Sequence, residues 1–393
     1  MIFLAFAFTY FLSALLRGVT ATLAPVFSAE MSLGAADLGL LAGAYFFGFA
    51  LMQLPLGRAL DRVGPRRTLL ALLAVAALGC VAFALANDLA ALIAARGLIG
   101  VGVAACLMAP LTCYRRVFSP AGQLRANAWM LMAGSSGMVA STLPVQWSLP
   151  SLGWRGLFWA LAVMLVLAMA AIRAAVPSDP QTHAVRLPDG GYAQILRHPK
   201  FRRLAPLGFF VYGGLVAVQA LWAGPWLTTV SLWTPAQAAQ GLFGINVAML
   251  LAFGIWGAVM PRLVHKGIDA MALMRWGLPW PVLLLFCNVA LGSSAGALHW
   301  AAWCVGCTFV TVSLPAVGSA FPSDLAGRAL SAFNLVVFCG IFCIQWGIGL
   351  VVDALSAAGV DGPDAFRVAF GLFGSGCLAA YAWFVGARSE ACR

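Results

Sequence analysis

Charged residues are scarce in this 393-residue chain, since Asp, Glu, Lys and Arg together make up only 9% of it. Acidic residues are the rarer kind, with 12 Asp and Glu against 23 Lys and Arg, and there are four histidines. A soluble protein needs more charge than this to cover its surface, which argues against soluble enzymes and nucleic-acid-binding domains. Because no His–Asp, Ser–His or metal-ligand cluster is visible, we expect neither an enzyme nor a bound cofactor.

Apolar residues dominate the chain: 63% of it is hydrophobic, and its mean hydropathy is +0.95. A helix needs about 20 apolar residues to cross a bilayer, so this length accommodates roughly twelve such helices. We predict helices near 2–27, 36–56, 68–86, 89–113, 122–147, 155–175, 205–230, 242–261, 270–292, 299–321, 329–353 and 366–387. The predicted fold class is an all-α membrane protein with twelve transmembrane helices.

The basic residues indicate the topology. Cytoplasmic loops of membrane proteins carry an excess of Lys and Arg. With the N-terminus in the cytoplasm, all 23 basic residues fall on the cytoplasmic side except Arg17, Arg96, Arg155 and Arg367. The net charge of +11 is therefore explained by loop position and not by a nucleic-acid partner. We expect a multi-pass protein of a bacterial inner membrane with both termini in the cytoplasm.

A charged segment, GRALDRVGPRR, runs from Gly57 to Arg67 between two apolar stretches. The spacing predicts a short loop at a membrane face, with Gly57 and Gly64 allowing tight turns at its two ends. This pattern resembles the signature loop between helices 2 and 3 of the major facilitator superfamily. Its residues are Gly57, Asp61, Arg62, Gly64, Arg66 and Arg67.

The chain also divides into two similar halves. A polar stretch over 177–204 is predicted as a cytoplasmic linker between a bundle at 1–176 and a bundle at 205–393. A shift of 200 residues aligns Gly57 with Gly257 and Arg62 with Arg262. Such duplication is typical of transporters in which two halves rock around a central site. We therefore predict two pseudo-symmetric bundles of six helices each.

A second match to the superfamily lies in the fourth helix, where Arg96-x-x-x-Gly100-x-Gly102 is similar to the arginine motif usual there. The resemblance covers the whole chain and implies a monomeric secondary transporter that works by alternating access. It also implies that the Gly57–Arg67 loop latches the halves together in one conformation; the alternative is a loop that only anchors the topology. Arg96 and Gly100 are candidates for coupling or for helix packing.

Arg17 lies about fifteen residues into the first helix, close to the bilayer midplane. A central arginine costs about 2.5–3.5 kcal/mol on insertion scales, so it normally faces a cavity and a partner. No acidic residue is predicted near mid-membrane, and we infer that a substrate anion is the partner. By position, Arg17 resembles the first-helix arginine of the organophosphate exchangers and organic anion symporters of this superfamily, and phosphate exchangers typically add a second arginine in helix 7. Ala217 stands at the equivalent position here, so the resemblance implies a carboxylate and not a phosphate. The alternative is an arginine that reaches the interface or bonds to backbone carbonyls.

Polar and aromatic residues on one face of several helices are further candidates to contact a small organic substrate. They are Tyr45, Trp129, Tyr212, Gln219, Trp222, Asn246 and Asn334. For each of them, plain helix packing is the alternative. The sequence leaves exchange, facilitated diffusion and proton symport open as modes of coupling.

The intramembrane cysteines suggest a second function. Cys304 and Cys307 share one helix face, as do Cys339 and Cys343, and thiolates suit a soft ion such as Cu(I). Arg17 would repel a cation in a shared cavity, and Cys is a common apolar filler in helices. Transport of a soft metal ion is therefore the alternative to transport of an organic anion.

Overall fold

A computed structural model describes residues 1–118, 120–177, 192–265 and 267–387, and every regular element in these ranges is helical. The first half contains α1 (Ile2–Met31), α2 (Ala35–Arg62), α3 (Pro65–Leu85), α4 (Leu89–Val103), α5 (Met108–Val117), α6 (Pro120–Ala140) and α7 (Leu143–Ala175). The second contains α8 (Tyr192–Arg197), α9 (Pro199–Leu207), α10 (Gly213–Ala217), α11 (Ala223–Pro225), α12 (Pro235–His265), α13 (Ala270–Gly277), α14 (Pro279–Leu291), α15 (Ala297–Cys307), α16 (Ser313–Gly318), α17 (Ser323–Ala357) and α18 (Gly362–Gly386).

Eleven helical segments of the described chain are long and apolar enough to cross a membrane. They correspond to every predicted transmembrane helix except the fifth, near 122–147. In that range the structure has α6 and the start of α7, which adjoin between Ala140 and Leu143. The all-helical membrane class is therefore confirmed, while the total of twelve helices in two bundles of six stays a prediction.

The chain folds into two compact units. Unit 1 comprises Met1–Ser32 and Leu41–Leu187, and unit 2 comprises Leu33–Leu40 and Pro188–Arg393. Half of the predicted linker over 177–204 falls on 178–191, which lie outside the described residues, and its last residues belong to α9, so those domain boundaries stay predictions.

The charged segment is more helical than the sequence predicts. Helix α2 continues through Arg62 and α3 begins at Pro65, which leaves only residues 63–64 between them. Gly64 has a φ of 93°, as a tight turn requires, whereas Gly57 is helical and the turn predicted there is wrong. The reason is that a change from apolar to charged residues marks the membrane face and not the end of the helix. In unit 2, Gly267 has a φ of 75° just after α12 ends.

Acidic side chains and glycines organise the helix ends of unit 1. Asp88 caps α4 by accepting a hydrogen bond from the Ala91 amide at 2.8 Å. Glu30, near the end of α1, accepts a hydrogen bond from Trp154 Nε1 at 2.6 Å and pairs with Arg155. Gly153, with a φ of 61°, breaks the helical geometry of α7 just before Trp154 and Arg155.

In unit 2, the start of α2 is capped by a side chain from another helix. The Asp353 carboxylate of α17 accepts hydrogen bonds from the amides of Ala35 and Ala36 at 2.9 and 2.8 Å. A carboxylate is favoured there because the first amides of a helix have no partners within it and carry partial positive charge. Glycine makes this approach possible, since a Cβ added at Gly349 would overlap the Ala35 carbonyl oxygen.

We expect Asp353→Asn to destabilise the protein by about 1–2 kcal/mol, because an amide retains only one of the two accepting oxygens and no charge. Thermal unfolding of the purified protein measures the change. Asp364→Asn is the control, since Asp364 is half exposed and forms only an i,i+3 pair with Arg367, which is worth little. Equal losses in the two variants would contradict the capping role.

Candidate functional site

Arg17 lies in unit 1 on a stripe of partly exposed side chains along one face of α1. Phe3, Tyr10 and Arg17 occupy positions i, i+7 and i+14, which superpose on a helix surface, and all three are partly exposed. The phenol groups of Tyr10 and Tyr45 lie against the Arg17 guanidinium. Its Nε is buried without a hydrogen-bond partner. Arg17 is thus a partly exposed residue with unused donor capacity.

Tyr45 of α2, predicted as a substrate contact, is fully buried beside Arg17. Its hydroxyl donates a hydrogen bond to the Ser13 carbonyl of α1 at 3.1 Å. This bond fixes the phenol next to the guanidinium. Tyr45 therefore packs against Arg17, which is itself partly exposed.

Arg96 of α4 joins the same cluster, a proximity that the sequence does not reveal. Its side chain is 1% exposed, and its Nη2 donates a hydrogen bond to Thr20 Oγ1 at 2.6 Å and a longer one to the Arg17 carbonyl at 3.5 Å. The guanidinium carbon lies 5.1 Å from the centre of the Tyr45 ring, a cation–π distance. Its Nε and Nη1 are buried without partners. Tyr45 therefore lies next to two positively charged side chains, Arg17 and Arg96.

Gly100 brings α2 and α4 into the contact that builds this cluster. A Cβ added at Gly100 would overlap the Tyr45 carbonyl oxygen, and one added at Gly48 would overlap the Gly97 carbonyl oxygen. Small residues allow such backbone contact between helices in membranes. Because Arg96 precedes Gly100 by one helical turn, this contact places the Tyr45 ring under the Arg96 guanidinium.

No acidic side chain among the described residues lies within ion-pairing distance of Arg17 or Arg96. Those acids are engaged at helix ends: Glu30, Asp37, Asp88, Asp269, Asp353, Asp361 and Asp364. The cluster of Arg17, Arg96, Tyr10 and Tyr45, which we call the arginine cluster, thus has excess positive charge in the described structure. An anionic ligand would balance it.

Unit 2 has a separate polar group on the segment that follows α9 and on α12. Gln219 Nε2 donates a hydrogen bond to Asn246 Oδ1 at 2.9 Å, and Asn246 Nδ2 donates to the Leu242 carbonyl at 2.9 Å. Tyr212 and Asn334 are partly exposed in the same unit. Gln219 and Asn246, predicted as substrate contacts, are thus brought together as an amide pair.

Trp222, predicted to line the cavity with Tyr212 and Gln219, lies instead in the core of unit 2. It is fully buried, and its Nε1 donates a hydrogen bond to the Gln345 carbonyl at 3.1 Å. The reason is local geometry, because π-helical turns span Gly208–Tyr212, Val218–Trp222 and Trp226–Val230. A π turn contains more residues than an α turn, so positions assigned at 100° per residue rotate onto the wrong face.

Trp129 of α6 lies away from the arginine cluster. Its side chain is 55% exposed and lines an apolar cavity of about 310 Å³ in unit 1. The other lining residues are Phe3, Phe118, Gly122 and Ala126.

Arg66 of the Gly57–Arg67 segment has a hydrogen-bond partner within unit 1. Arg66 Nη2 donates a hydrogen bond to the Arg173 carbonyl in the last turn of α7 at 2.7 Å. Arg62 and Arg67 are exposed. The Asp61 side chain lies outside what the structure describes, so its latch role stays a prediction.

The cysteine pairs do not form a metal site in the described part of the chain. There, no three His, Cys, Asp or Glu side chains are grouped so that they could hold a metal ion. Cys304 and Cys307 are buried in α15, whereas Cys339 and Cys343 are exposed on α17. The soft-metal alternative therefore has no support from the structure.

Comparison with known sequences identifies the family. The model of the Major Facilitator Superfamily matches residues 6–344. The chain is 27% identical over 245 residues to the inner membrane transport protein YajR of Escherichia coli strain K12. That alignment covers 59% of this chain and 49% of YajR, so it spans about half the length of this relative.

Solved structures show the same fold. A bacterial homologue of the human lysosomal transporter Spinster, in an inward-facing and unoccupied conformation, matches with a TM-score of 0.78 at 16% identity, over 98% of this chain and 96% of that one. A D-xylose–proton symporter matches with a TM-score of 0.75 at 13% identity, over 97% and 96% of the two chains. With this fold and a family match over most of its length, the chain belongs to the Major Facilitator Superfamily.

Proposed function

We propose that this protein is a secondary transporter of the inner membrane that moves a small organic anion, a carboxylate, by alternating access. The observation that carries the proposal is the arginine cluster. Arg17 and Arg96 lie together in the apolar part of unit 1, and no described acidic side chain pairs with either. Buried charges are normally paired, so a site that leaves two cations unbalanced favours an anion.

The geometry supports one anionic group on Arg17. Arg96 is enclosed and directs its Nη2 to Thr20 and to the Arg17 carbonyl, while Arg17 is the partly exposed arginine of the two. A guanidinium fork binds a carboxylate through two parallel hydrogen bonds. Because one of the two arginines is enclosed, the site suits a monoanion better than a phosphate dianion.

Two separate observations support the proposed localisation and orientation of the protein. One relative is named an inner membrane transport protein, and the distribution of Lys and Arg supports a cytoplasmic position for both termini. We propose a monomer, the usual state in this superfamily.

Thermal stabilisation of the purified protein tests the substrate class. The panel contains carboxylates, phosphates, sugars, amino acids and Cu(I). A ligand at about 100 times its dissociation constant stabilises the fold by about 2.7 kcal/mol. We expect a carboxylate to give such a shift in wild type and no shift in Arg17→Gln. Arg17→Lys should also lose most of it, because an ammonium group keeps the charge but not the fork.

Arg197→Gln is the matched control, since Arg197 is exposed on α8 of unit 2 and does not belong to the arginine cluster. It should retain the full carboxylate shift. A neutral solute or Cu(I) that stabilises wild type and Arg17→Gln equally would make Arg17 structural and overturn the proposal.

A further inference from the structure

The apolar cavity of unit 1 lies along the same helix pair as Arg17. Phe3, which lines the cavity, shares the α1 stripe with Tyr10 and Arg17. On α6, Gly134 packs so closely against the Tyr10 ring that an added Cβ would overlap it. Trp129 precedes Gly134 on that helix by little more than one turn. The cavity and the guanidinium therefore lie along one α1–α6 surface.

The two ends of this surface are chemically opposite. Among the described residues, the cavity is lined by Phe3, Phe118, Gly122, Ala126 and Trp129, and none of these carries a charge. At the other end, Tyr10 lies against the Arg17 guanidinium. The cavity, at about 310 Å³, is at the lower end of the size of ligand pockets.

The distance between the ends limits the size of a ligand that uses both. Fourteen residues separate Phe3 from Arg17, which is about 21 Å of helix rise. A long side chain on a helix points back towards the N-terminus, so the Arg17 guanidinium is displaced towards Phe3 and shortens this gap. A two- to four-carbon acid bound at Arg17 cannot reach the cavity, but an anion with an extended apolar body can.

We propose that the transported anion is amphipathic: its carboxylate binds Arg17 and its alkyl or aryl body enters the cavity formed by Phe3, Phe118, Gly122, Ala126 and Trp129. This inference rests on the proposed function, because it places the head group on Arg17. The exposed Trp129 ring supplies an apolar and polarisable face for such a body. The protein would then select its substrates by the length of the apolar body as well as by charge.

Calorimetric titration of the protein in lipid nanodiscs, with empty nanodiscs as the blank, tests this selection. The ligands are butyrate, octanoate, decanoate and dodecanoate, with octanol as the neutral counterpart. Once the chain reaches the cavity, each further methylene should tighten the dissociation constant by about fourfold. Octanol, which has no group for Arg17, should bind far more weakly than octanoate.

Two variants change the cavity and leave Arg17 intact. Trp129→Ser removes one wall, and Ala126→Leu fills the space; each should weaken dodecanoate by about tenfold or more and leave butyrate unchanged. Trp147→Ser is the control, because Trp147 is 72% exposed on α7 and is not a lining residue of the cavity. It should bind every ligand like wild type.

The outcomes separate this inference from the proposed function. If wild type binds no carboxylate of any length, the proposed function fails. If carboxylates bind through Arg17 but with affinities independent of chain length, or if both cavity variants keep the wild-type length dependence, only the amphipathic substrate is overturned. A length dependence that persists in Arg17→Gln and extends to octanol would assign the cavity to a neutral apolar molecule or lipid chain, and would also overturn the inference.

Discussion

Gly100→Ala is expected to destabilise the protein by about 3 kcal/mol or more, at the upper end of the cost of overpacking a core. The added methyl group would overlap the Tyr45 carbonyl oxygen, where α2 and α4 touch through backbone atoms. Backbone cannot rotate away as a side chain can, so the two helices must separate. That separation would also move the Tyr45 ring from beneath Arg96, and we expect carboxylate stabilisation to be lost with the fold stability.

Gly97→Ala is the matched control, three residues away on the same helix. The nearest atom to an added Cβ there is the Ala44 carbonyl oxygen at 3.8 Å, an ordinary van der Waals contact. Because alanine favours helix over glycine by about 1 kcal/mol, this variant should be as stable as wild type or slightly more so. Thermal unfolding and carboxylate binding of both variants check the prediction. Similar behaviour of the two would show that the α2–α4 contact does not limit stability.

Hydrophobicity predicts where the helices are, and close packing at glycines determines which helices contact each other. Most transmembrane segments could be located from the length of their apolar stretches, because the bilayer fixes the number of residues needed to cross it. The same pattern carries no information on which helices touch. Arg17 and Arg96 are 79 residues apart and meet where α4 packs in unit 1, with Gly100 allowing its close approach to α2.

The helix face of Arg17 was predicted better than that of Trp222, for a reason in the helix geometry. Arg17 and Tyr45 fall on regular α-helices, where positions translate directly into faces. Trp222 falls within a π turn, whose hydrogen bonds join residues five positions apart. The face assigned to it from the sequence is therefore wrong. The tight turn predicted at Gly57 is wrong because a charged segment can remain helical outside the apolar layer.

Arg96→Met is expected to raise the stability of the fold and to weaken anion binding at the same time. Arg96 is buried in unit 1, and two of its three guanidinium nitrogens have no hydrogen-bond partner. Replacement of a poorly compensated buried charge by an apolar side chain of similar volume often stabilises a protein by about 1–4 kcal/mol. We therefore expect a higher unfolding temperature in the absence of ligand.

The loss of binding follows from the contacts that Arg96 makes. Its guanidinium lies over the Tyr45 ring and bonds to Thr20 and to the Arg17 carbonyl, so it fixes the surroundings of the anion-binding group. It also adds a second positive charge where the medium screens charge poorly. We expect carboxylate affinity to fall by about tenfold or more, equivalent to about 1.4 kcal/mol. Arg96→Lys should show the same weakening in milder form, because a lysine keeps the charge but cannot make the planar contacts.

Arg155→Met is the control for Arg96→Met, because it removes an exposed and paired arginine from the same unit. Arg155 is about 40% exposed and pairs with Glu30, so its removal leaves a carboxylate without its partner and should lower stability slightly without changing carboxylate affinity. Titration and thermal unfolding of the three variants decide between two roles for Arg96. If Arg96→Met is less stable than wild type and binds carboxylate equally well, Arg96 only packs helices. If it is more stable and binds poorly, the protein retains a destabilising buried charge because the anion site depends on it.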